Sequence, residues 1–324
     1  VNTSVNNPEA TIIVQGSSTL ALFEDATVKS FHFRLGDGTA VAIPTGTYTF
    51  STWTGLAEEL GLDSFQLDLV GDVSLTVLDE TPLPTAGTIF TGEGEWFTDD
   101  NWSEGVPTDG SNAIVNGTAE INRNIGASNS DNPSRIFVGD QTTGVLNVTG
   151  GTLSGAHSGT NAGLFVGLGP EGNGTVHISE GAALRSQGGG MVVQVGDESG
   201  GTGRVSVAGQ LFNFKFFRLI NGTLEMHPTG VNNSFNDVNV SSIGANGTLS
   251  YLIDGDMVGG LLRANDNGLS LEIDPEANLK VALNGDVSEG QSWTLIDYSS
   301  LTGSFAQGTG FTNEQGHTLS VDYG

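Results

Sequence analysis

The chain has 324 residues, with 49 Gly, no Cys and only 10 Lys plus Arg, and its formal net charge is −27. So few basic residues cannot neutralise phosphates, which argues against nucleic acid and an anionic membrane surface as partners. No apolar run is long enough for a transmembrane helix, so we expect no membrane insertion, and the lack of Cys excludes disulfides and thiolate chemistry. Hydrophobic residues make up 36%, and the abundance of Thr, Val, Ser, Asn and turn-forming Gly predicts an all-β fold.

Residues 1–86 predict an N-terminal β module of the antiparallel, sandwich-like kind. Several short segments alternate apolar and polar side chains, as half-buried strands do. These segments are Thr11–Val14, Thr19–Phe23, Val28–Phe33 and Val73–Val77. Only Gly55–Leu60 has a helical pattern, and it predicts one or two turns of helix.

Two tryptophans flank a turn near the start of the next module, which we place at residues 87–230. A solenoid must cover its terminal coil, because an uncovered coil exposes unpaired backbone groups. We therefore interpret Trp96 and Trp102 as a hydrophobic lid, a Trp-rich cap on the solenoid. The alternative interpretation is that one of these rings stacks on a carbohydrate.

Three copies of one pattern follow the lid. Each copy has a short strand that ends in Val-Gly, a polar turn, and then an alternating strand that begins with Gly. The alternating strands are Gly144–Thr149, Gly174–Ser179 and Gly203–Ala208. The Val-Gly glycines are Gly139, Gly167 and Gly196. They are 28 and 29 positions apart, a spacing typical of stacked supersecondary units.

One frame of each alternating strand is uniformly apolar. The apolar pairs are Leu146 with Val148, Val176 with Ile178, and Val205 with Val207. Stacking the copies about 4.8 Å apart places these side chains above one another as aliphatic ladders inside the fold. The prediction is a right-handed β-solenoid, or β-helix, as the core of the chain.

Residues 231–324 continue the β pattern, and we expect them to form a C-terminal β module that completes the solenoid. The apolar segments of this part are Leu249–Ile253, Leu269–Ile273, Leu279–Leu283 and Trp293–Asp297. Their alternation matches that of the preceding repeats, although the glycine spacing is lost.

Catalytic patterns are not found in the sequence. The five His residues are scattered, and neither a metal-binding His-Glu-x-x-His helix nor a nucleophile elbow occurs. A polysaccharide-degrading enzyme built on a β-helix is the least favoured function, because it needs basic residues near its acidic substrate and the few Lys and Arg are dispersed. We predict no enzyme activity and no cofactor.

Asp-rich turns offer the candidate metal ligands. The carboxylates of Asp254, Asp256 and Asp266 are of the type that binds Ca²⁺. None of these turns reproduces an EF-hand loop, and Asx turns explain the same residues. Calcium therefore stays an alternative to the expectation of no cofactor.

Several segments together resemble the autotransporter-type β-helix repeat proteins. Many of these are surface proteins of Planctomycetes and Verrucomicrobia that carry a C-terminal sorting signal of the Pro-Glu-Pro kind. The segments that carry the resemblance are Trp96–Pro107, the three repeats, Gly290–Tyr298, Gly303–Phe305 and Leu319–Tyr323, with Pro44–Thr49 in the first module. The resemblance implies a β-helix architecture and export, with no particular chemistry.

In such proteins a last apolar strand usually follows the Leu-x-Val-Asp-Tyr segment, whereas this sequence stops at Gly324. An apolar strand, residues 10–15, lies instead near the other end. We hypothesise that it is donated to the C-terminal sheet of a second copy, by strand addition or as a covalent tandem repeat. The predicted subunit contacts are Thr11, Ile12, Ile13 and Val14 on the donor side, with Leu319, Val321 and Tyr323 on the acceptor side.

A contact of this head-to-tail kind does not close on itself and generates a filament. We therefore expect a secreted structural protein that forms a homopolymer at the cell surface or in a surface layer. The alternative is a surface adhesin or carbohydrate-binding passenger domain, with glycans as partners, that works as a monomer.

Overall fold

The computed structural model divides the chain into two compact units, residues 1–86 and 87–324. We call them the first unit and the second unit and describe each by itself. The residues that the structure describes are 7–15, 19–34, 40–59, 67–78, 87–108, 111–125, 133, 135–155, 163–186, 192–212, 216–228, 240–255, 257–258, 262–264, 270–298 and 300–323.

The first unit contains seven described strands and one helix. They are β1 (Asn7–Gln15), β2 (Leu20–Leu22), β3 (Ala26–Arg34), β4 (Ala40–Ala42), β5 (Gly46–Tyr48), α1 (Phe50–Glu59), β6 (Leu67–Leu69) and β7 (Leu75–Val77). The main sheet has the order β1-β3-β7-β5, with β4 also paired to β3, while β2 and β6 form a separate pair. Strands β1 and β7 run parallel to β3, whereas β4 is antiparallel to β3 and β5 is antiparallel to β7, so this sheet is mixed.

Helix α1 is longer than the sequence pattern predicted, because it begins at Phe50 rather than at Gly55. Its first turn is closed by threonines: the Thr49 N–H donates to the hydroxyl of Thr52 at 2.8 Å, and that hydroxyl donates back to the Thr49 carbonyl at 3.1 Å. This reciprocal capping starts a helix whose apolar residues Trp53, Leu56 and Ala57 follow at helical spacing and face the core. The helix buries Trp53, whose ring stacks on Phe33 at 5.3 Å.

The second unit begins at residue 87 and is built from strands, most of them short. They are β8 (Thr88–Phe90), β9 (Glu93–Glu95), β10 (Asn112–Val115), β11 (Thr118–Ile121), β12 (Arg135–Asp140), β13 (Thr143–Val148), β14 (Thr152–Gly155), β15 (Gly163–Leu168), β16 (Asn173–Ile178), β17 (Ala183–Ser186), β18 (Val192–Val195), β19 (Thr202–Val207), β20 (Gln210–Phe212), β21 (Phe216–Met226), β22 (Val240–Asp254), β23 (Met257–Val258), β24 (Leu262–Ala264), β25 (Ser270–Ile273), β26 (Asn278–Asn284), β27 (Ile296–Tyr298), β28 (Ser300–Gly303), β29 (Gly310–Thr312) and β30 (Thr318–Ser320).

These strands stack into a parallel β-solenoid of about six turns, which confirms the predicted solenoid. One column of strands, which we call the first column, runs β8-β10-β12-β15-β18, then through the starts of β21 and β22 to β25 and β28. The second column runs β9-β11-β13-β16-β19, then through the ends of β21 and β22 to β26. A shorter third column contains β14, β17 and β20.

The predicted aliphatic ladder lies inside the second column. Leu146 pairs in register with Val176 and Val176 with Val205, and the ladder continues to Leu224 and Leu249. All five side chains are fully buried. Burying one such side chain contributes roughly 1.5–3 kcal/mol, which no coil could obtain without its neighbours.

The Val-Gly glycines turn the chain from the first column to the second. Gly139, Gly167 and Gly196 have φ values of 72°, 73° and 71°, in the left-handed region that favours glycine. A Cβ atom on Gly167 would also lie only 1.7 Å from the carbonyl oxygen of Thr202 in the next coil. The repeat therefore keeps glycine here for two reasons, its backbone angle and its close contact with the coil above.

Candidate functional site

The N-terminal end of the solenoid is covered by the two tryptophans. Trp96 is fully buried and Trp102 is 5% exposed, with ring centroids 4.7 Å apart. The Trp102 indole N–H donates to the Trp96 carbonyl at 2.7 Å. Both rings are buried, as the predicted lid requires, and neither has an open face on which a carbohydrate could stack.

The backbone at this end is also paired. The lid segment forms an antiparallel bridge between Phe90 and Trp102. The Ser103 N–H donates to the Ile89 carbonyl at 2.9 Å, and the Ile89 N–H donates to the Ser103 hydroxyl at 2.9 Å. Strand β8, the first strand of the first column, therefore has partners on both of its edges, which leaves little for an added strand to bind.

At the C-terminal end, side-chain amides close the second column. The Gln315 amide accepts from the Leu283 N–H at 2.7 Å and donates to the carbonyl of the same residue. The Asn313 amide donates to the Val281 carbonyl at 3.2 Å. The Gln307 amide oxygen accepts from the Leu279 N–H of β26 at 3.0 Å. The three residues, which we call the amide cap, are Gln307, Asn313 and Gln315.

The amide cap satisfies backbone groups of β26 that the next coil would otherwise satisfy. Sequence reasoning missed it. Its only signal is three amide residues within nine positions of a polar segment, residues 307–315, and such residues are equally common in ordinary turns.

The first column ends differently, in strand β28. This strand pairs in parallel with β25, and no other strand in the described part of the chain pairs with it. Three of its four residues, Ser300, Thr302 and Gly303, are exposed, and Leu301 is partly buried. Within the described chain, β28 is thus an edge strand with one face toward the core and one edge uncovered by a strand.

A cavity of about 700 Å³ lies beside this edge strand, and we call it the C-terminal cavity. Its lining comes from the last coils and the C-terminal segment, and polar groups contribute nearly as much of the cavity surface as apolar groups do. The apolar lining residues are Ile253, Leu271, Ile273, Leu279, Val281, Trp293, Leu295, Ile296, Tyr298, Leu301, Phe305, Phe311, Leu319, Val321 and Tyr323. The predicted acceptor residues Leu319, Val321 and Tyr323 therefore all line one cavity.

Tyr323 is held in place at the cavity wall by three hydrogen bonds. Its hydroxyl accepts from the Phe305 N–H at 3.1 Å and donates to the Gly308 carbonyl at 2.9 Å. Its carbonyl accepts from the Tyr298 hydroxyl. The end of the chain thus packs as one wall of the cavity rather than filling it.

The predicted donor residues lie in β1, which has a partner in its own chain. Ile12, Ile13 and Val14 pair in register with residues of β3, and Thr11 pairs with Ser30. Strand β1 is at the edge of its sheet, and Ile13 is 40% exposed although Val14 is buried. The segment that the sequence suggested as isolated is therefore paired on one side.

The calcium prediction concerns residues that are only partly described. Asp254 ends strand β22, whereas Asp256 and Asp266 lie outside the described residues. In the ranges that the structure describes, no group of three or more His, Cys, Asp or Glu side chains is placed to hold a metal ion. Calcium binding by these aspartates stays a prediction.

A polar cluster on the outer face of the second column has the residue types of a catalytic triad. The Ser206 hydroxyl lies 3.0 Å from His227 Nε2, and Glu225 Oε1 lies 2.7 Å from the same nitrogen. In a triad the carboxylate must hold Nδ1 so that Nε2 is left for the serine. Both groups meet one nitrogen here, and Glu225 also pairs with Arg204, so the arrangement is an ion-pair cluster.

The charged groups of this cluster affect the pKa of the neighbouring His177. Burial, and next the charge of Arg204, lowers the pKa of His177, with a smaller effect of His227 in the same direction and an opposing effect of Glu225. The imidazole is consequently neutral over most of the physiological pH range.

No helix in the described ranges has the length and apolar character needed to cross a membrane. Compared with models of known protein families, with curated proteins and with solved structures, the chain gives no match in any of the three. The features of the described residues that bear on function are the two ends of the solenoid and the edge strand of the first unit.

Proposed function

We propose that this chain is an extracellular structural protein, the subunit of a head-to-tail filament or surface layer that assembles by β-strand addition. The observation that carries the proposal is the difference between the two ends of the solenoid. The N-terminal end is covered by a lid and a paired strand, whereas the C-terminal end has, within the described residues, an edge strand beside a cavity that is lined in part by apolar side chains.

Because the two ends of the solenoid differ in this way, copies would add to one another in one direction along the chain axis. Added strands bind an exposed sheet edge through backbone hydrogen bonds and place alternate side chains in pockets. Because the strand that would be added and the edge that would receive it lie on different units of the chain, the contact is heterologous. Unless two copies exchange strands reciprocally or the rotation between copies closes a ring, repeated contacts of this kind extend into a filament.

The polar cluster of the second column supports a structural role over an enzymatic one. Its histidine cannot act as the base of a triad in the observed geometry, and the Arg204 side chain is 52% exposed on the outer face of the sheet. The buried lid likewise gives no support to the adhesin alternative through sugar stacking. The composition and the resemblance to autotransporter-type proteins support a location outside the cell.

The charge of the chain sets the conditions for assembly. With a net charge of −27, copies repel one another at low ionic strength, and salt shortens the range of this repulsion to about 10 Å at 0.1 M. We expect filaments to form more readily in salt of seawater strength than in dilute buffer.

The proposal is tested by light scattering after size exclusion and by electron microscopy of the full chain at low and high salt. We expect filaments for the full chain and monomers after deletion of residues 1–16. Deletion of residues 1–5, which spares β1, is the matched control and should leave assembly intact. A full chain that stays monomeric at high concentration and high salt contradicts the proposal, as does unchanged assembly of the 1–16 deletion. Single monomeric rods that bind a glycan array would instead support the adhesin.

A further inference from the structure

We infer that Asn173 and Asn246 are N-glycosylation sites on one corner of the solenoid. The chain contains the tripeptide Asn-Gly-Thr four times, beginning at Asn116, Asn173, Asn221 and Asn246. Asn-x-Thr is the sequence that accepts N-linked glycans in exported proteins, whereas Asn-Gly is also common in tight turns. The inference requires the export that the proposed function includes, and it does not require filament formation.

Strand register places the four tripeptides at the same corner, where the second column begins. Asn173 lies level with Thr202 of the next coil. Thr202 in turn lies level with Asn221, and Asn221 pairs with Asn246. Three coil spacings of about 4.8 Å separate Asn173 from Asn246, which is about 14 Å. Asn116 has the same position two coils before Asn173, so the four asparagines form one row along the side of the solenoid.

Strand alternation presents the Asn and Thr side chains of these tripeptides on the outer face. In β16, Asn173 is exposed, Gly174 is buried and Thr175 is partly buried. Residues 246–248 of β22 show the same order. A Cβ atom on Gly174 would lie 2.1 Å from the carbonyl oxygen of Val138, so the interior of the coil requires the glycine. Neither this glycine nor the one in residues 246–248 has a positive φ, so a tight turn does not explain the Asn-Gly pair there.

The carboxamides of the four asparagines differ in their hydrogen bonds. The partly buried Asn116 accepts from a backbone N–H of the next coil at 3.3 Å, and the partly buried Asn221 donates to a backbone carbonyl of the preceding coil at 3.3 Å. In the part of the chain that the structure describes, the exposed side chains of Asn173 and Asn246 form no hydrogen bond. A glycan on Asn116 or Asn221 disturbs a contact that links coils, whereas a glycan on Asn173 or Asn246 disturbs none.

Two further tripeptides of the Asn-x-Ser or Asn-x-Thr type in the described ranges are less suitable. The Asn101 amide donates to the Glu95 carbonyl at 3.0 Å, and its tripeptide includes the buried Trp102 of the lid. Asn147 is partly buried, and the hydroxyl of Thr149, the third residue of its tripeptide, donates to a glutamate carboxylate at 2.7 Å. These sites therefore lack either a free amide or a free hydroxyl. The remaining tripeptides, at Asn2, Asn232 and Asn239, lie outside the described residues.

The modification joins each side chain to a sugar that a transferase supplies as an activated sugar phosphate. The carboxamide nitrogen attacks the anomeric carbon, a C–N bond forms, and the C–O bond to the phosphate breaks. The phosphate leaves with the bonding electrons, and the nitrogen gives one proton to a base of the transferase. The product is a neutral amide that carries a bulky, hydrated group. Because β16 and β22 have paired strands on both sides, these groups project sideways and leave the ends of the stack clear.

Mass mapping of the chain isolated from the cells that produce it tests the inference. An amidase that releases N-linked glycans leaves Asp in place of each modified Asn, so every site is identified by the mass of its peptide. We expect this conversion at Asn173 and Asn246, and unchanged Asn116 and Asn221. An unmodified side chain at either Asn173 or Asn246 would overturn the inference.

Variants expressed through a secretory pathway with N-glycosylation provide a second measurement. Thr175→Ala with Thr248→Ala removes both proposed sites and leaves all four asparagines in place. Thr118→Ala with Thr223→Ala is the matched control, because it removes the other two tripeptides of the same row. The first variant should lose all glycan from this row, whereas the control should keep it. A control that loses glycan from the row to the same extent would contradict the assignment.

The outcomes separate this inference from the proposed function. Filaments whose subunits carry glycan on Asn173 and Asn246 support both. Filaments of unmodified subunits overturn the glycosylation sites and leave the structural role standing. A secreted monomer with glycan on these two side chains supports the sites while the filament proposal fails. A monomer that stays inside the cell without glycan overturns both.

Discussion

Replacing Gly167 by alanine should destabilise the solenoid for two separable reasons. The φ of Gly167 is 73°, and an alanine held in that region costs about 1–2 kcal/mol. A Cβ atom would also lie 1.7 Å from the Thr202 carbonyl oxygen, and overpacking of this kind costs about 1–3 kcal/mol. The expected total is about 3 kcal/mol.

Two other glycines separate the contributions. Gly181 has a φ of 80° with nothing within 4 Å of its Cβ position, so Gly181→Ala should show the backbone cost alone, about 1–2 kcal/mol. The Cβ position of Gly174 lies 2.1 Å from the Val138 carbonyl oxygen, and its φ lies outside the left-handed region. Gly174→Ala should therefore show the overpacking cost alone, about 1–3 kcal/mol.

Urea unfolding followed by circular dichroism measures these differences. With a slope of about 3 kcal/mol/M, an extra 2 kcal/mol lowers the midpoint of Gly167→Ala by roughly 0.7 M below that of Gly181→Ala. Equal midpoints for these two variants would refute the reasoning, because they would mean that adjacent coils do not approach as closely as the stack requires.

Further predictions concern the amide cap and two titrating groups. Gln315→Ala should lower the free energy of unfolding by about 1–2 kcal/mol, because it removes both hydrogen bonds to Leu283, while Glu314→Ala, at a side chain that is 91% exposed, should change it by less than about 0.5 kcal/mol in thermal unfolding. Burial raises the pKa of Tyr251 well above its usual value, so this tyrosine ionises at a lower pH in the unfolded chain than in the folded one. Its contribution to the free energy of unfolding is therefore present below about pH 10 and is lost as the pH rises above that value. Tyr251→Phe should reduce this loss, measured by urea unfolding at alkaline pH. Burial lowers the pKa of His177, so as the pH falls this imidazole takes up a proton in the unfolded chain before it does so in the folded one. Its contribution to the free energy of unfolding is therefore present above about pH 6.5 and decreases as the pH drops. His177→Gln should reduce the decrease in unfolding free energy between about pH 7 and pH 5.

The solenoid was predictable from sequence where its coils repeat. The spacing of Gly139, Gly167 and Gly196, with one uniformly apolar frame, determined both the stacking and the inward side chains of three coils. The later coils around Leu249 and Leu279 continue the same ladder without the glycine spacing, because loop lengths between coils vary while the ladder depends only on strand register. Their position in the stack therefore needed the structure.

In the first unit, the strands could be predicted from the sequence but their pairing could not. Alternation identified the strand segments around Ile12, Phe31 and Leu75, but alternation carries no information on which strands pair or in which direction. The parallel pairing of β1 with β3 depends on a crossover through β2, which local sequence does not encode. Thr49 and Thr52 are residue types that cap helices, but the sequence pattern predicted a helix only over Gly55–Leu60.

The candidate site was predictable in its residues more than in its form. The acceptor residues Leu319, Val321 and Tyr323 were chosen from the end of a resembling segment, and the structure brings them to one cavity. The edge strand and the amide cap were not predicted. Both depend on which backbone groups remain unpaired after the last coil, and that is decided by contacts between residues about 30 positions apart.

Electron cryomicroscopy of the assembled full chain tests the central claim most directly. We predict head-to-tail filaments with density for residues 10–15 of one copy added as a strand to the C-terminal sheet of the next. Filaments in which copies meet through the outer face of the solenoid, with residues 10–15 paired only within their own copy, would contradict that claim.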